Sequence, residues 1–558
     1  MEVKLTPQED QLCTLLDDFT RQWRESEGVQ TSCRIAGGWV RDKLLGMQTN
    51  DIDIALTDMM GVTFADRFLQ YCSEVKHIPV SAIHKVESNP EQSKHLETAK
   101  TNLLGIDLDF VNLRSEEYAE NSRIPTQITF GTPLQDALRR DITINSLFYN
   151  VHTRSVEDHT GKGLDDLRNG TIRTPLPPKE TFMDDPLRVI RCVRFASRFG
   201  FDMVPDLKDA ARDPEIQKAL ESKISRERVG DEVDKMMKGR DPLYSTGIIY
   251  DLSLFSSIFY LLPSFSSTLS GPLGSTHTSV TAASILNAVL GHPSPSSASS
   301  PLSSISFPPV HPTLLSELKE NSEHSPLPRV YLACALTPYR GLTCQDKKRK
   351  TIPAVEVAVR EGLKLGSQNH YADGIPLLFS AWQILSKAIQ SEPSSASNDA
   401  DDRVRIGLTL RRKEVHWPLS QATWSTSLLF SLVQDLTSTW DDAERKFDME
   451  AARKRIERYN AFVARTEELG LPAVIDAKSI LDGRDVLRVL NASPGPWTGK
   501  VLAHVAQWQL AHPEGTKEQC EEWLKAEHAA GNVQTSAGPR SKRGKDQDQE
   551  ETMKKAKR

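Results

Sequence analysis

The chain has 558 residues, 38% of them hydrophobic and 26% charged, the composition of an ordinary globular protein with room for about three to five domains. No apolar run approaches the roughly eighteen residues that cross a bilayer, so no membrane span is expected. A formal charge of −6 leaves a nucleic-acid partner open, because the local field decides, and sixteen Lys and Arg fall between residues 168 and 240.

The seven cysteines (Cys13, Cys33, Cys72, Cys192, Cys334, Cys344, Cys520) form no Cys-x-x-Cys pair, which argues against a zinc site and for a reducing compartment. The acidic start of the chain lacks both a signal-peptide core and an Arg- and Ser-rich transit character. A cytoplasmic or nuclear protein is expected, any mitochondrial form coming from another start site. Thr6-Pro7 opens a helix over residues 5–23, in which Leu12, Leu15, Leu16, Phe19 and Trp23 recur at helical spacing.

Residues 35–56 carry the chemistry. In Asp51-Ile52-Asp53-Ile54-Ala55-Leu56 acid and aliphatic residues alternate. On a strand this sets Asp51 and Asp53 side by side while Ile52 and Ile54 enter the core. Two carboxylates that close repel unless a cation sits between them, and Mg²⁺ commonly takes one or two carboxylates plus substrate phosphates. Gly37-Gly38 leaves room for a phosphate, and residues 39–45 read as a helix whose amino end receives it. Arg41 adds a cation, and Asp42 holds a neighbouring backbone group or arginine in place.

A helix over residues 63–72 covers the sheet, and the polar stretch 83–104 contains a mobile loop at 87–100. Residues 106–114 alternate again and should lie beside the first acidic strand, with Asp107 and Asp109 on one face. Of the two, Asp109 is the better third carboxylate, taking the proton of an attacking hydroxyl. In residues 136–149, Arg139 and Arg140 suit a triphosphate or a nucleic-acid backbone, and Asp141 is expected to orient Arg140 or Asn145. The turn-rich residues 156–170 read as a joint between domains.

Residues 182–200 form the second decisive stretch. Pro186 belongs at the start of a helix and Gly200 just past its end. Arg188, Arg191, Arg194 and Arg198 make a cationic stripe, with Val189, Ile190, Val193, Phe195 and Phe199 expected on the opposite side. Stacked like charges cost a few tenths of a kcal/mol per pair, which a facing anion offsets. Asp185 serves as the N-cap, or it joins Arg188 as an edge reader. A carboxylate accepts from an exocyclic NH₂ and a guanidinium donates to a ring nitrogen or carbonyl, so the pair would accept C and A and repel U and G.

The ordered set Gly37-Gly38-Trp39-Val40-Arg41-Asp42 with Asp51-Ile52-Asp53, then Arg139-Arg140-Asp141 through Asn145, then Asp184-Asp185-Pro186-Leu187-Arg188, then Ile224-Ser225-Arg226-Glu227-Arg228 resembles class II tRNA nucleotidyltransferases, the CCA-adding enzymes, of the eukaryotic, fungal-like type. The likeness covers residues 5–240 and resumes at residues 495–517; where this chain has Asp184 the family more often has Glu. It implies an α+β fold: an N-terminal nucleotidyltransferase (polymerase β-like) head followed by an all-α neck, body and tail. It also implies Asp51 and Asp53 as metal ligands, and Gly38, Arg41 and one or both of Arg139 and Arg140 at the nucleotide phosphates, beside the open turn at Gly37. Asp185 and Arg188 become the base-reading pair, Arg191 and Arg194 lie beside the same nucleotide, and Glu227 and Arg228 support the pair.

Beyond residue 241 the signal fades. Residues 252–262 look helical, while 264–274, 292–306 and 391–402 read as Ser-, Pro- and Gly-rich insertions. Helices are expected at 355–365, 375–389 and 442–469, with Trp424, Trp440 and Trp497 in cores. The expected organisation is a head at 1–150, a neck at 151–240, a body at 241–390, a tail at 403–533 that holds the RNA, and a disordered basic end at 534–558. That end serves as a nuclear-import address or a loose RNA contact. The expected function is template-independent, Mg²⁺-dependent addition of CCA to tRNA 3′ ends from CTP and ATP by a monomer. The rivals are a poly(A) polymerase on the same fold and an inactive RNA-binding scaffold.

Overall fold

Thr6 opens the first helix, α1 (Pro7–Glu27), with a capping box: its hydroxyl accepts from the Glu9 amide, and the Glu9 carboxylate accepts from the Thr6 amide. The computed structural model describes residues 2–86, 98–118, 125–292, 306–318, 325–390 and 398–535. Most of the mobile loop expected at 87–100, most of the insertions at 292–306 and 391–402, and the basic end beyond 535 lie outside these residues. Within them, residues 98–100 are not loop but strand paired in the sheet, and residues 399–402 are not insertion but the start of a helix, Asp399–Leu410.

After α1 come β1 (Cys33–Ala36), α2 (Gly38–Leu44), β2 (Asp51–Leu56) and α3 (Gly61–Glu74). Then follow β3 (His84–Val86), β4 (Thr98–Leu103), β5 (Ile106–Asn112), the hairpin β6 (Arg114–Tyr118) and β7 (Pro125–Phe130), and α4 (Pro133–Leu138). The short strands β8 (Phe148–Asn150) and β9 (Ser155–Glu157) complete the head. Seven strands form one sheet in the order β3-β4-β5-β2-β1-β8-β9. β2 and β5 run parallel, and the other neighbours are antiparallel.

The alternation in β2 and β5 resolves as predicted. Asp51 lies opposite Asp107 and Asp53 opposite Asp109, while Ile52, Ile54, Leu108 and Phe110 are fully buried beneath them. The α1 and α3 helices cover that face: Phe19 meets Phe64 and Phe68, which in turn meet Phe110. The expected joint at 156–170 is corrected in part. Residues 155–157 pair with β8 as the edge strand of the sheet, which therefore runs past residue 150.

A run of helices follows: α5 (Gly163–Asn169), α6 (Pro178–Asp184), α7 (Leu187–Phe199), α8 (Pro205–Arg212), α9 (Pro214–Lys223) and α10 (Arg226–Met237). The helix expected from Pro186 to just before Gly200 is α7, and α6 precedes it as a separate helix. The chain is extended at Asp185, as the residue before a proline prefers, and Gly200 ends α7 in the left-handed conformation. Residues 264–274 are not a loose insertion. Their backbone bonds that of residues 338–345, Ser270 N–H to Thr343 O at 2.9 Å and Gly274 N–H to Pro338 O at 3.0 Å.

The helix expected at 355–365 is one α-turn (Ala354–Val357) running into a π-turn (Ala358–Gly362). That expected at 442–469 begins only at Met449, after a small hairpin. Trp424 and Trp497 are buried, whereas Trp440 is half-buried and packs edge-on against Phe447.

The chain divides into two compact units, one of Met1–Phe307, Leu318–Phe379 and Leu436–Met449, the other of Pro308–Glu317, Ser380–Asp435 and Glu450–Arg558. In the second, the helices Gly483–Leu490, Trp497–Ala511 and Lys517–Ala529 share a core of Val486, Leu490, Trp497, Val505, Trp508 and Leu524. Among the described residues no helix is long and apolar enough to cross a membrane.

The fit of α3 onto β5 is close: a Cβ on Gly61 would lie 2.3 Å from the Phe110 carbonyl oxygen. Gly61→Ala should therefore lower stability by about 1–3 kcal/mol, read from the denaturant midpoint. An unchanged midpoint would mean that helix and strand separate here without cost.

Candidate active site

The pleat of β2 turns Asp51 and Asp53 away from the core at the amino end of the strand. Asp53 forms part of the floor of a cleft of about 580 Å³ in the first unit. Asp51 lines a second cleft with Asp107 and Asp109. Burial pushes the Asp53 carboxyl up to about 6, with Asp51 and Asp109 adding to the rise and Arg140 opposing it. The Lys100 ammonium pairs with Asp109, and Asn102 donates to Asp107 at 2.7 Å. Among the described residues no group of three or more His, Cys, Asp or Glu is gathered to hold a metal ion. Asp51 and Asp53 do offer the hard oxygen donors of a divalent cation that takes the rest of its shell from a substrate.

The larger cleft is cationic, with nine arginines on its wall against four aspartates. Buried carboxylates hold these guanidiniums. Asp136, 1% exposed, takes Arg139 at 2.5 Å on one oxygen and Arg140 at 2.9 Å on the other. Burial would raise its pKa, but Arg140 and Arg139 more than offset this and hold it low. Asp141 accepts from Arg191 at 2.7 Å and from Asn145 at 3.0 Å. Glu232, on α10, accepts from Arg194 at 2.5 Å. Asp42 accepts from Arg41 at 2.7 Å and from Arg198 at 3.3 Å. Arg41 also donates to the Asn145 side chain and lies over the Phe199 ring, 4.7 Å from its centre.

Gly37 makes the approach of these groups possible. Its φ of +67° is in the left-handed region, and a Cβ there would stand 2.5 Å from a terminal nitrogen of Arg140.

At the head of α7 the predicted base readers sit one turn apart on the cleft wall. Asp185 Oδ1 accepts from the Leu187 amide at 3.2 Å, the capping role, and Oδ2 from Arg228 at 2.9 Å. Arg188 donates to the backbone carbonyls of Arg139 at 2.6 Å and Thr181 at 3.3 Å. Asp53, Asp185 and Arg188 therefore share one cleft, together with Gly38, Arg41, Arg139, Arg140, Asp141, Asn145, Arg191, Arg194 and Arg228. Gly37 and Asp42 lie behind that wall. Asp51 and Asp109 face the second cleft, and Glu227 is exposed on α10.

Of the two partners expected for Asp141, Asn145 is the one it orients, together with Arg191, while Arg140 belongs to Asp136. One expectation changes. Phe195 does not face away from the arginine stripe: Arg194 and Arg191 lie over its ring at 4.0 and 5.5 Å, and it lines the cleft with them. Asp136 and Glu232 join the site beyond the residues expected there, and Arg198, expected only as part of the stripe, lines the cleft. For Asp136 a signal was present, since it stands three and four residues before Arg139 and Arg140 on what proves to be a helix end.

Residues 33–173 match the Poly A polymerase head domain family. Over 548 residues the chain is 36% identical to the mitochondrial CCA tRNA nucleotidyltransferase of Saccharomyces cerevisiae, covering 94% of each protein. Among solved structures it resembles a CCA-adding enzyme in complex with ATP, at 17% identity and a TM-score of 0.57, covering 96% of this chain and 97% of the other. It also resembles the Bacillus stearothermophilus CCA-adding enzyme in complex with CTP, at 17% identity and a TM-score of 0.54, covering 95% and 99%. These two likenesses establish a common fold.

Asp141 gives this network a pH signature. Burial alone would raise its pKa, but Arg191 and Asn145 bring it down to about 2, below the roughly 3.9 of an unfolded aspartate. Its contribution to stability is thus complete above about pH 4 and lost as pH falls through about 2. The stability difference between wild type and Asp141→Asn should be of order 2 kcal/mol at pH 7 and vanish near pH 2. A difference independent of pH over that window would rule out the ion pair as its source.

Proposed function

Because the chain belongs to the CCA tRNA nucleotidyltransferases, we propose that it builds the CCA end of tRNA at the arginine-lined cleft, with Asp51 and Asp53 at the reacting phosphate. It is an enzyme that adds C, C and A to tRNA 3′ ends from CTP and ATP, without a nucleic-acid template and with release of pyrophosphate. The observation that carries the residue assignment is the cleft shared by Asp53 with Asp185 and Arg188.

In the reaction the 3′-hydroxyl oxygen of the RNA attacks the α-phosphorus. A new P–O bond forms, the bond to the β-phosphate bridging oxygen breaks, and pyrophosphate leaves. Mg²⁺, bound by Asp51 and Asp53 together with substrate phosphates, would lower the pKa of the hydroxyl and neutralise the leaving group. Arg139 and Arg140, fixed by Asp136, and Arg41, fixed by Asp42 and Asn145, hold the triphosphate beside the open turn at Gly37 and Gly38. Asp109 is the third carboxylate that takes the hydroxyl proton, a role supported by its register opposite Asp53.

Asp185 and Arg188 read the base. The lone pairs that Asp185 keeps free of Arg228 accept from the exocyclic NH₂ of C or A, and Arg188 donates to the ring edge. Arg191 and Arg194, backed by Asp141 and Glu232 and layered on Phe195, flank the same nucleotide. Arg228 fixes Asp185, while Glu227 has the weaker claim to a supporting role because of its exposure.

A monomer suffices, since every group invoked comes from one chain. Cytoplasmic and nuclear locations are proposed, and the Saccharomyces cerevisiae relative, a mitochondrial enzyme, supports a mitochondrial pool as well.

The second reading, a poly(A) polymerase, is favoured by the head-domain match alone, whereas the CCA-family relative matches nearly the whole chain. A tRNA lacking its 3′ CCA, incubated with CTP, should gain C residues; with CTP and ATP together it should gain CCA and stop. Long A tails made from ATP alone would establish the poly(A) reading instead. Asp51→Ala and Asp53→Ala should each cut incorporation by about 10²-fold or more while leaving tRNA affinity unchanged. Activity near wild type in either variant would remove that aspartate from the metal site.

A further inference from the structure

We propose that a groove between α7 and α10, where Arg194 and Arg198 meet Lys235 and Lys238, binds a backbone phosphate of the RNA strand being extended. This rests on tRNA as the substrate. The groove has a volume of about 400 Å³ and is lined by Arg194, Ser197 and Arg198 of α7 with Lys235, Lys238 and Gly239 at the end of α10. Arg194 and Arg198 also stand on the wall of the nucleotide cleft, so the two spaces adjoin.

Its charge is not balanced. Glu232 is shared by Arg194 at 2.5 Å, Lys235 at 3.3 Å and Arg191 at 3.8 Å. Asp42 is shared by Arg41 and Arg198, and Asp234 takes Lys238 at 2.8 Å. With Asp141, which takes Arg191 at 2.7 Å, six cations thus rest on four carboxylates. Lys235 and Lys238 lie three residues apart on one helix face, with side chains 55% and 45% exposed. Their place near a helix carboxyl end accounts for two lysines. It does not account for two arginines of another helix, Arg194 and Arg198, converging on the same space beside these lysines.

Two sources of phosphate are available, the nucleotide and the RNA. Arg198 lies ten residues along α7 from Arg188, about 15 Å of helix. A nucleotide with its base at Asp185 and Arg188 and its phosphates at Arg139 and Arg140 has its charges met without this groove. The RNA strand that brings its 3′ end to Asp53 carries a phosphate at every residue, and such backbone contacts position a strand without reading it.

The test uses the full-length chain. The pairs Lys235→Ala with Lys238→Ala and Lys235→Glu with Lys238→Glu are compared with wild type for Kd of a tRNA lacking CCA and for KM of CTP, across a range of KCl. The Ala pair should weaken tRNA binding about 5–20-fold, the Glu pair more, and the slope of log Kd against log salt should fall by about 1. The KM for CTP and kcat at saturating tRNA should stay within about twofold of wild type. An Arg pair at the same positions should restore binding. Unchanged tRNA affinity and salt slope in the Glu pair would overturn the proposal. So would a rise in the KM for CTP with tRNA binding intact, which would give the groove to the triphosphate. If wild type itself extends no tRNA, the substrate assignment falls first, and that failure appears before any variant is made.

Discussion

Guanidinium groups crowded into one cleft repel each other, and buried carboxylates that hold them apart in fixed geometry are what the rest of this molecule depends on. Asp136 spends one oxygen on each of two neighbouring arginines, and Asp141, Glu232 and Asp42 each restrain at least one more. A buried ion pair adds little net stability, because desolvating both charges cancels most of the attraction. Its value here lies in preorganisation. Donors already aimed at the place where phosphate charge will sit need no rearrangement when the charge arrives. The excess of arginines over acids is what leaves the cleft attractive to an anion after the internal pairing is complete.

The same network explains which parts of the site could be read from the sequence. Alternation in residues 51–56 and 106–112 survives folding because a strand keeps its period, so the acid face and its register were predictable. The spacing of Arg188, Arg191 and Arg194 survives because a helix keeps its own. The partners of those arginines were not predictable. Arg191 reaches Asp141 fifty residues back and Arg194 reaches Glu232 thirty-eight residues on. In one dimension Glu232 is an ordinary helical acid; only the packing of α10 on α7 makes it a ligand of the stripe.

Phe195 was misplaced for a related reason. Sorting a helix into a charged and an apolar side assumes that aromatic rings avoid cations, whereas flat rings and flat guanidiniums pack face to face. The strand at 155–157 was hidden by its neighbours. Three residues between turns carry too short a pattern to stand out, and the pairing with β8 that orders them is tertiary. Residues 264–274 have the composition of a loose segment, yet their backbone finds partners in residues 338–345, which composition does not record.

Rigidity at the head of α7 bears on how one pocket would take two bases and refuse two. In the proposed reaction Asp185 meets an NH₂ on C or A and an oxygen on U or G. A freely rotating carboxylate would turn away from an opposing oxygen and lose little. Asp185 is held by the Leu187 amide on one oxygen and by Arg228 on the other, and Arg188 by two backbone carbonyls, so neither turns without breaking bonds in a partly desolvated site. The wrong base then faces an unrelieved clash of acceptors. Sites built to bond a polar substrate group reject analogues lacking it by factors of about 10⁴ or more, far beyond what shape alone achieves. In the proposed reaction, selection against U and G therefore resides less in the Asp–Arg pair itself than in the bonds that keep the pair from moving.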